Sequence, residues 1–291
     1  MFREFAHDLL ARDAGEIGMH LHAWNSPPIV PLTEDDYRWR PYLIEYPRDV
    51  MREKINVLTD TLRETFSTPI VSHRAGRWAF DRTYAHLLVE QGYLVDCSMT
   101  PGVSWGHEPG TPGGVGDVDY RAVPREAFWM DEDDVRRRGR LPLLEVPVTI
   151  EPGSRGWLPK AARRLLGRAS WGNRAVERVM PSVHWFRPNR HNRCAMLQIL
   201  QTERRRSADY VELMLHSSEL MPGGSPYFPD CNAVERLYDT LEAVFSAGAG
   251  DFRGMTLAEY HARFVRARGE PASLGSPATG REPRHAECME A

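Results

Sequence analysis

Short apolar segments alternate with amphipathic segments along most of this 291-residue chain, and this alternation constrains the fold more than any other feature. Apolar periodicity predicts helices over 2–10, 47–66, 81–91, 158–168, 189–205, 232–247 and 257–267. Short apolar runs predict strands over 16–21, 69–72, 93–97, 143–150 and 210–215. Such alternation is typical of a parallel sheet with crossover helices, so the predicted fold class is α/β.

Four polar motifs follow predicted strands along the chain. They are HLHAW, SHRAGRW, VDCSMTP and LMLHSSEL. In barrels and in open α/β sheets, active sites are built where parallel strands end. The positions of the four motifs therefore predict that they meet in one site.

The first motif carries two histidines, His20 and His22. Residues two apart in a strand point to the same face, so both imidazoles face one side while Leu21 faces the other. Neutral imidazoles suit zinc and other divalent transition metals. Two partly buried, hydrogen-bonded histidines would show the same spacing, and the pattern leaves both interpretations open.

The other motifs supply candidate catalytic groups. Arg74 follows a strand and could orient a carboxylate or hold an oxyanion. Asp96 ends an apolar strand, shares a face with Ser98, and needs a histidine or arginine partner if it is buried. His216 ends the strand VELMLH and, with Asp96 behind it, would serve as a general acid. Each residue taken alone also suits an ordinary structural role.

Composition and charge limit the partners. The net charge is −3, so no overall basic field favours nucleic acid. No apolar stretch approaches a membrane span, and the charged N-terminal segment lacks the features of a secretory signal. The four cysteines lie far apart, which favours free thiols and a cytoplasmic location. The oligomeric state is not predicted.

Five motifs, taken in order, resemble those of the polysaccharide deacetylase family, the NodB-homology domains. The motifs are GEIGMHLHAWNSPP, HRAGRW, VDCSMTP, LLEVPVT and LMLHSSELMPGGSPY. The HLHAW form and the HSSELMPGGSPY ending resemble its WalW-like branch. The resemblance covers roughly 15–228. It implies a distorted (β/α) barrel, a divalent metal that is usually zinc, and removal of acetyl groups from N-acetylated sugars of a polysaccharide or its precursor.

The resemblance also implies residue roles. His20 would be a metal ligand, and Arg74 would hold the carboxylate that acts as base. His216 would be the general acid and Asp96 its partner. The further candidates, for binding of the carbohydrate substrate, are Trp24, Ser98 and Trp78.

The chain departs from the family pattern twice. The second ligand of the family lies four residues after the first, where this chain has Trp24, so His22 would have to take that role. The family also begins with a strand ending in two acidic residues, whereas the acidic pair found here, Asp35–Asp36, lies in a loop flanked by prolines. We therefore expect a barrel that lacks its first strand and a chain that is weak or inactive from Met1. The predicted barrel domain covers 1–267, and a disordered tail covers 268–291.

Two alternatives remain. An amidohydrolase barrel also carries HxH after its first strand, but neither lysine of this chain, Lys54 or Lys160, follows a predicted strand as a bridging lysine would. A non-catalytic remnant would bind glycan or protein without turnover. A remnant should bind little metal, whereas a working site should bind about one ion per chain.

Overall fold

The computed structural model describes residues 2–105, 118–153 and 182–271. Within these ranges five strands form one sheet in the order β1-β2-β3-β5-β4, and β6 pairs with β7 in a separate antiparallel ladder. The strands are β1 Met19–Leu21, β2 Ser72–Ala75, β3 Val95–Asp96, β4 Phe128–Trp129, β5 Leu144–Glu145, β6 Ile150–Pro152 and β7 Val183–Trp185.

The helices of the described residues match the predicted ones closely, except that a short helix with Asp35 as its N-cap forms in a segment predicted to be a loop. They are α1 Phe2–Ala11, α2 Asp36–Trp39, α3 Arg48–Phe66, α4 Arg82–Glu90, α5 Arg193–Arg205, α6 Cys231–Gly248 and α7 Leu257–Arg268. Asp81 caps α4 by accepting a hydrogen bond from the Tyr84 amide at 2.8 Å, and Gly92 follows that helix with a φ of 84°. Asp230 caps α6 in the same way.

Parallel pairing places the motif residues side by side. β1, β2, β3 and β5 are parallel, and β4 runs antiparallel to β5. The register sets His20 beside Arg74, His73 beside Asp96, and Asp96 beside Glu145. The polar residues at the carboxyl ends of four strands therefore form two neighbouring rows across the sheet, His20–Arg74 and His73–Asp96–Glu145.

The hydrophobic core beneath these polar residues is fully buried. Ile55 of α3, Leu88 of α4 and Val95 of β3 have no measurable exposure. Burying each such side chain contributes about 1.5–3 kcal/mol. The helices α3 and α4 pack on each other, and α3 also packs on β1, so the amino-terminal half of the sheet is well supported.

Buried Lys54 secures the loop after β1. Its Nζ donates hydrogen bonds to the carbonyl oxygens of Ser26 and Pro28 at 2.8 and 2.6 Å. Burial lowers the pKa of Lys54, and the Asp36 carboxylate opposes that effect. A buried ammonium held by two carbonyls fixes the path of the segment that carries Trp24.

Some predicted boundaries were wrong. The strand predicted over 69–72 begins at Ser72 and ends at Ala75, because pairing with β1 continues through the buried His73 and Ala75. The strand predicted over 210–215 has no ladder, since Glu212 N bonds the Thr149 hydroxyl and Met214 N bonds a single carbonyl, that of Phe186.

The fold is α/β with a mainly parallel sheet, as predicted, but barrel closure is not observed in the described part of the chain. There the sheet is open, with β1 and β4 as its edges. The predicted helix 158–168 and most of the predicted tail, from 272, lie outside the described residues. Across the described ranges, none of the helices combines the length and apolar character that a bilayer crossing requires.

Candidate active site

A cavity of about 1020 Å³ opens beside the ends of β1 and β2 and the segment 214–217. Its wall includes five of the eight predicted site residues: His20, His22, Arg74, Trp78 and His216. The remaining three lie behind or beside this wall. Asp96 and Ser98 are fully buried, and Trp24 packs against the ring of His22 at a centroid distance of 4.7 Å.

His20 and His22 form the imidazole pair that the strand spacing predicted. Their ring centroids are 4.7 Å apart and the rings are nearly perpendicular. His20 Nδ1 lies 2.8 Å from the Arg74 carbonyl oxygen. A carbonyl only accepts, so Nδ1 carries the proton and Nε2 keeps its lone pair. His22 Nδ1 is buried and has no hydrogen-bond partner within the described ranges.

Both imidazoles are neutral near pH 7. Burial lowers the pKa of His20, against the opposing effect of its hydrogen bond to Arg74. Burial, followed by the charges of His20 and Arg77, lowers the pKa of His22 to about 4. Neutral imidazoles have the chemistry of metal ligands.

The donor set nevertheless does not complete a zinc site. A catalytic zinc ion usually has three protein ligands. Within 2–105, 118–153 and 182–271, no group of three or more histidine, cysteine, aspartate or glutamate side chains is placed to hold a metal ion. His20 and His22 fit two ligand positions, and the described residues do not supply the third.

Gly76 lets the end of β2 approach β1 closely. A Cβ atom at Gly76 would lie 2.3 Å from the Leu21 carbonyl oxygen and 2.8 Å from His22 Nδ1. Arg77 and Trp78 follow with φ values of 52° and 63°. Two successive non-glycine residues in this left-handed region are costly, and such strain tends to cluster at functional sites.

This backbone turn places Trp78 in an aromatic wall. Its ring stacks with that of Trp105 at 6.4 Å and approaches that of Trp185 at 5.9 Å. Trp105 and Trp185 also contact each other, with ring centroids 6.2 Å apart. Rings of this kind present flat apolar faces with polar N–H edges. Of these three rings, that of Trp78 lines the cavity, and the other two pack against it.

Arg74 is paired with a carboxylate that the sequence analysis did not identify. Its Nη2 donates to Glu212 Oε1, and its Nε donates to the Cys97 carbonyl oxygen at 3.2 Å. The Glu212 side chain is 13% exposed, and its Oε2 is buried without a hydrogen-bond partner among the described residues. Burial raises the pKa of Glu212 to about 7, although the Arg74 charge opposes it.

Asp96 has a histidine partner, but this partner is His73 rather than His216. His73 Nδ1 donates to Asp96 Oδ1 at 2.6 Å, and the Ser98 hydroxyl donates to the same oxygen at 2.7 Å. The Tyr84 hydroxyl lies 2.7 Å from His73 Nε2. The buried Asp96 carboxylate is therefore well hydrogen-bonded inside the core, and the predicted Asp96–His216 pair is replaced by Asp96–His73.

His216 has partners of its own. Arg187 Nη2 lies 3.0 Å from His216 Nδ1 and donates to Glu219 Oε1 at 2.6 Å. Glu219 is buried and accepts from the His216 amide at 3.1 Å. Arginine has no acceptor atom, so His216 Nδ1 must accept and the neutral ring carries its proton on Nε2.

Four residues of this site were not singled out from the sequence: His73, Arg187, Glu212 and Glu219. Two of them left a signal, because Glu212 interrupts an apolar run and Glu219 follows His216 within one motif. His73 stands inside SHRAGRW, but a strand expected to end at Ser72 placed it in a loop. Nothing in the sequence around Arg187 marks it as a site residue.

Comparison with known proteins adds little to this geometry. No protein-family model and no curated protein matches the chain. A solved structure from Mycobacterium smegmatis, described as a "putative polysaccharide deacetylase", aligns with a TM-score of 0.45 and 16% sequence identity, over 95% of this chain and 72% of that chain. A structural similarity at this level does not support a functional assignment, so the interpretation depends on the residues of the site.

Proposed function

We propose that this chain is a hydrolase of the polysaccharide deacetylase type, acting on the acetyl amide of N-acetylated sugars. One observation supports the proposal above all: His20, His22, Arg74 and His216, from three separate segments, line a single cavity. The motif resemblance assigned a role to each of them except His22, which stands in for the second ligand. A cytoplasmic location and a carbohydrate substrate belong to the same proposal.

In the proposed reaction, water adds to the acetyl carbonyl, the amide C–N bond breaks, and the amine nitrogen takes up a proton. The attacking water supplies this proton overall. To relay it, His216 has to be the imidazolium, with its Nδ1–H turned from Arg187 toward Glu219 Oε1, 3.8 Å away, and its Nε2–H free to protonate the amine. The side chain is 55% exposed at the cavity wall, so the ring is accessible to a ligand. Arg74 positions the Glu212 carboxylate just behind the wall.

Divalent-metal binding by His20 and His22, with zinc as the first candidate, forms part of the proposal. Their neutral imidazoles support it. Two ligands do not complete a catalytic centre, so no step of the reaction is assigned to a metal. A weak site of this kind is consistent with the low activity expected from the sequence.

The test is acetate release from tetra-N-acetylchitotetraose, with and without added zinc, by the wild type and two variants. His216→Ala removes the proposed proton donor, and His261→Ala is a matched control on α7, where His261 packs on Trp129. General-acid catalysis contributes about 10²–10⁴-fold, so we expect a rate loss of that order only in His216→Ala. Sugar binding without acetate release would instead identify a non-catalytic carbohydrate-binding protein.

A further inference from the structure

Arg77 differs from the other two arginines considered at this site. The Arg74 guanidinium is paired with Glu212, and that of Arg187 with Glu219. No carboxylate or other hydrogen-bond acceptor within the described ranges pairs with the guanidinium of Arg77, which also lines the cavity. Its charge is therefore available to a ligand.

Two aromatic rings hold Arg77 in place. Its Cζ lies 5.0 Å from the ring centroid of Trp24 and 4.9 Å from that of Tyr37. These rings contact each other at 5.2 Å in an edge-to-face arrangement. A guanidinium held against ring faces keeps its N–H donors free at its edge, and their planar fork matches a carboxylate.

The backbone restricts Arg77 further. It follows Gly76 at the end of β2 with a φ of 52°, in the left-handed region that non-glycine residues seldom adopt. Together with the two aromatic contacts, this conformation limits the positions available to the side chain. A cation fixed in this way binds an anion with less loss of conformational freedom than a mobile surface arginine does.

Acidic groups also line the cavity. They are Asp13 and Glu16, before β1, and Glu259, in α7. Arg77 follows β2 and lies over the ring of Trp24, which packs on the ring of His22. A carboxylate in the cavity is therefore attracted to Arg77 and repelled by the acidic side chains, which favours one binding position for it.

We propose that Arg77, held by Trp24 and Tyr37, binds a carboxylate of the saccharide, so that the substrate is an N-acetylated polysaccharide that also contains uronic acid residues. The inference rests on the proposed function for the N-acetylated part of the ligand. The carboxylate preference follows independently from the unpaired guanidinium and its aromatic contacts.

The experiment compares two tetrasaccharides by isothermal titration calorimetry at low salt. Hyaluronan tetrasaccharide carries both N-acetyl groups and carboxylates, whereas tetra-N-acetylchitotetraose is neutral. We expect the wild type to bind the hyaluronan fragment at least about tenfold more tightly, with a preference that weakens as salt screens the charge. Arg77→Met should abolish the preference, and Arg77→Lys should retain part of it.

Arg38→Met is the matched control, since Arg38 also lies over an aromatic ring, that of Trp39 at 4.5 Å, but does not line the cavity. It should keep the full preference. The role of Arg77 would be overturned if the wild type bound both fragments equally, or if a folded Arg77→Met kept the preference. Either result would leave the proposed sugar-binding site unaffected. Binding of neither fragment would overturn the carbohydrate proposal as well.

Discussion

Arg74, at the end of β2, donates a hydrogen bond to the buried carboxylate of Glu212, four residues before His216. The pair joins two segments of the candidate site that are 138 positions apart in sequence. The resemblance implied that Arg74 holds a carboxylate but pointed to no residue for it, and in the structure Arg74 pairs with Glu212. Glu212 thereby becomes the acidic group whose removal should affect the site most.

The Glu212 pair should make stability depend on pH. Burial raises the pKa of Glu212 from 4.5 to about 7, so between these values the folded state binds more protons than the unfolded state. Its contribution to the free energy of unfolding therefore falls as pH rises through this window and is constant on either side, with a total change of up to about 3 kcal/mol.

Urea denaturation of the wild type and Glu212→Gln, at intervals between about pH 4.5 and 8, measures that contribution as the difference between them. The exposed Glu235→Gln is the control and should show a difference independent of pH. A flat difference for Glu212→Gln as well would mean that Glu212 is an ordinary, ionised carboxylate in the folded protein.

Local patterns were predicted well, and long-range partners were not. The His20–His22 pair follows from strand geometry, and the caps of α4 follow from Asp81 and Gly92. Asp96 was expected to need a histidine or arginine, but the choice of His73 over His216 depends on β2 extending to Ala75. Strand boundaries are set by neighbouring strands, so the sequence of one segment does not determine them.

Asp96 should act on stability rather than through His216. Asp96→Ala removes the acceptor of His73 and Ser98 and leaves a buried imidazole without its partner. Loss of one member of a buried charged network typically costs about 3–5 kcal/mol, whereas Ser98→Ala should cost only about 1 kcal/mol. Equilibrium denaturation of both variants measures the ratio, and similar small losses would show that the network contributes little.

The His216 tautomer is a separate prediction. Because Arg187 can only donate, the neutral ring should carry its proton on Nε2. Long-range ¹H–¹⁵N spectra distinguish the two tautomers, and the signal that disappears in His216→Gln identifies the residue. Arg187→Met should give a mixture of tautomers, while Ser98→Ala should leave the His216 signal unchanged. A proton on Nδ1 in the wild type would contradict the assignment.

Metal binding should depend on both histidines of the first motif. Zinc titrations of the wild type, His20→Ala and His22→Ala should show weak binding that falls by at least about tenfold in each variant. His261→Ala should bind like the wild type, because His261 packs on Trp129 and does not line the cavity. If all four proteins bind zinc equally, the imidazole pair is not the site. This outcome would remove metal binding from the proposed function without affecting the sugar-binding tests.

Gly76 should tolerate no side chain, because the site is assembled by a close approach of two strand ends. An alanine Cβ would lie 2.3 Å from the Leu21 carbonyl oxygen, which is too close for any real contact, so the end of β2 would have to move away from β1. Overpacking of this kind costs about 1–3 kcal/mol, and here it also displaces His22, whose Nδ1 would be 2.8 Å away. Gly76→Ala should therefore lower both the free energy of unfolding and the affinity for zinc.

Gly250→Ala is its control, since a Cβ there meets nothing within 4 Å and should change stability little. Thermal and urea unfolding of the two variants measure the difference, and zinc titration measures the displacement of His22. If Gly76→Ala matches Gly250→Ala in both stability and zinc affinity, the approach between β2 and β1 is looser than the structure indicates. The imidazole pair would then not depend on the turn that also positions Arg77 and Trp78.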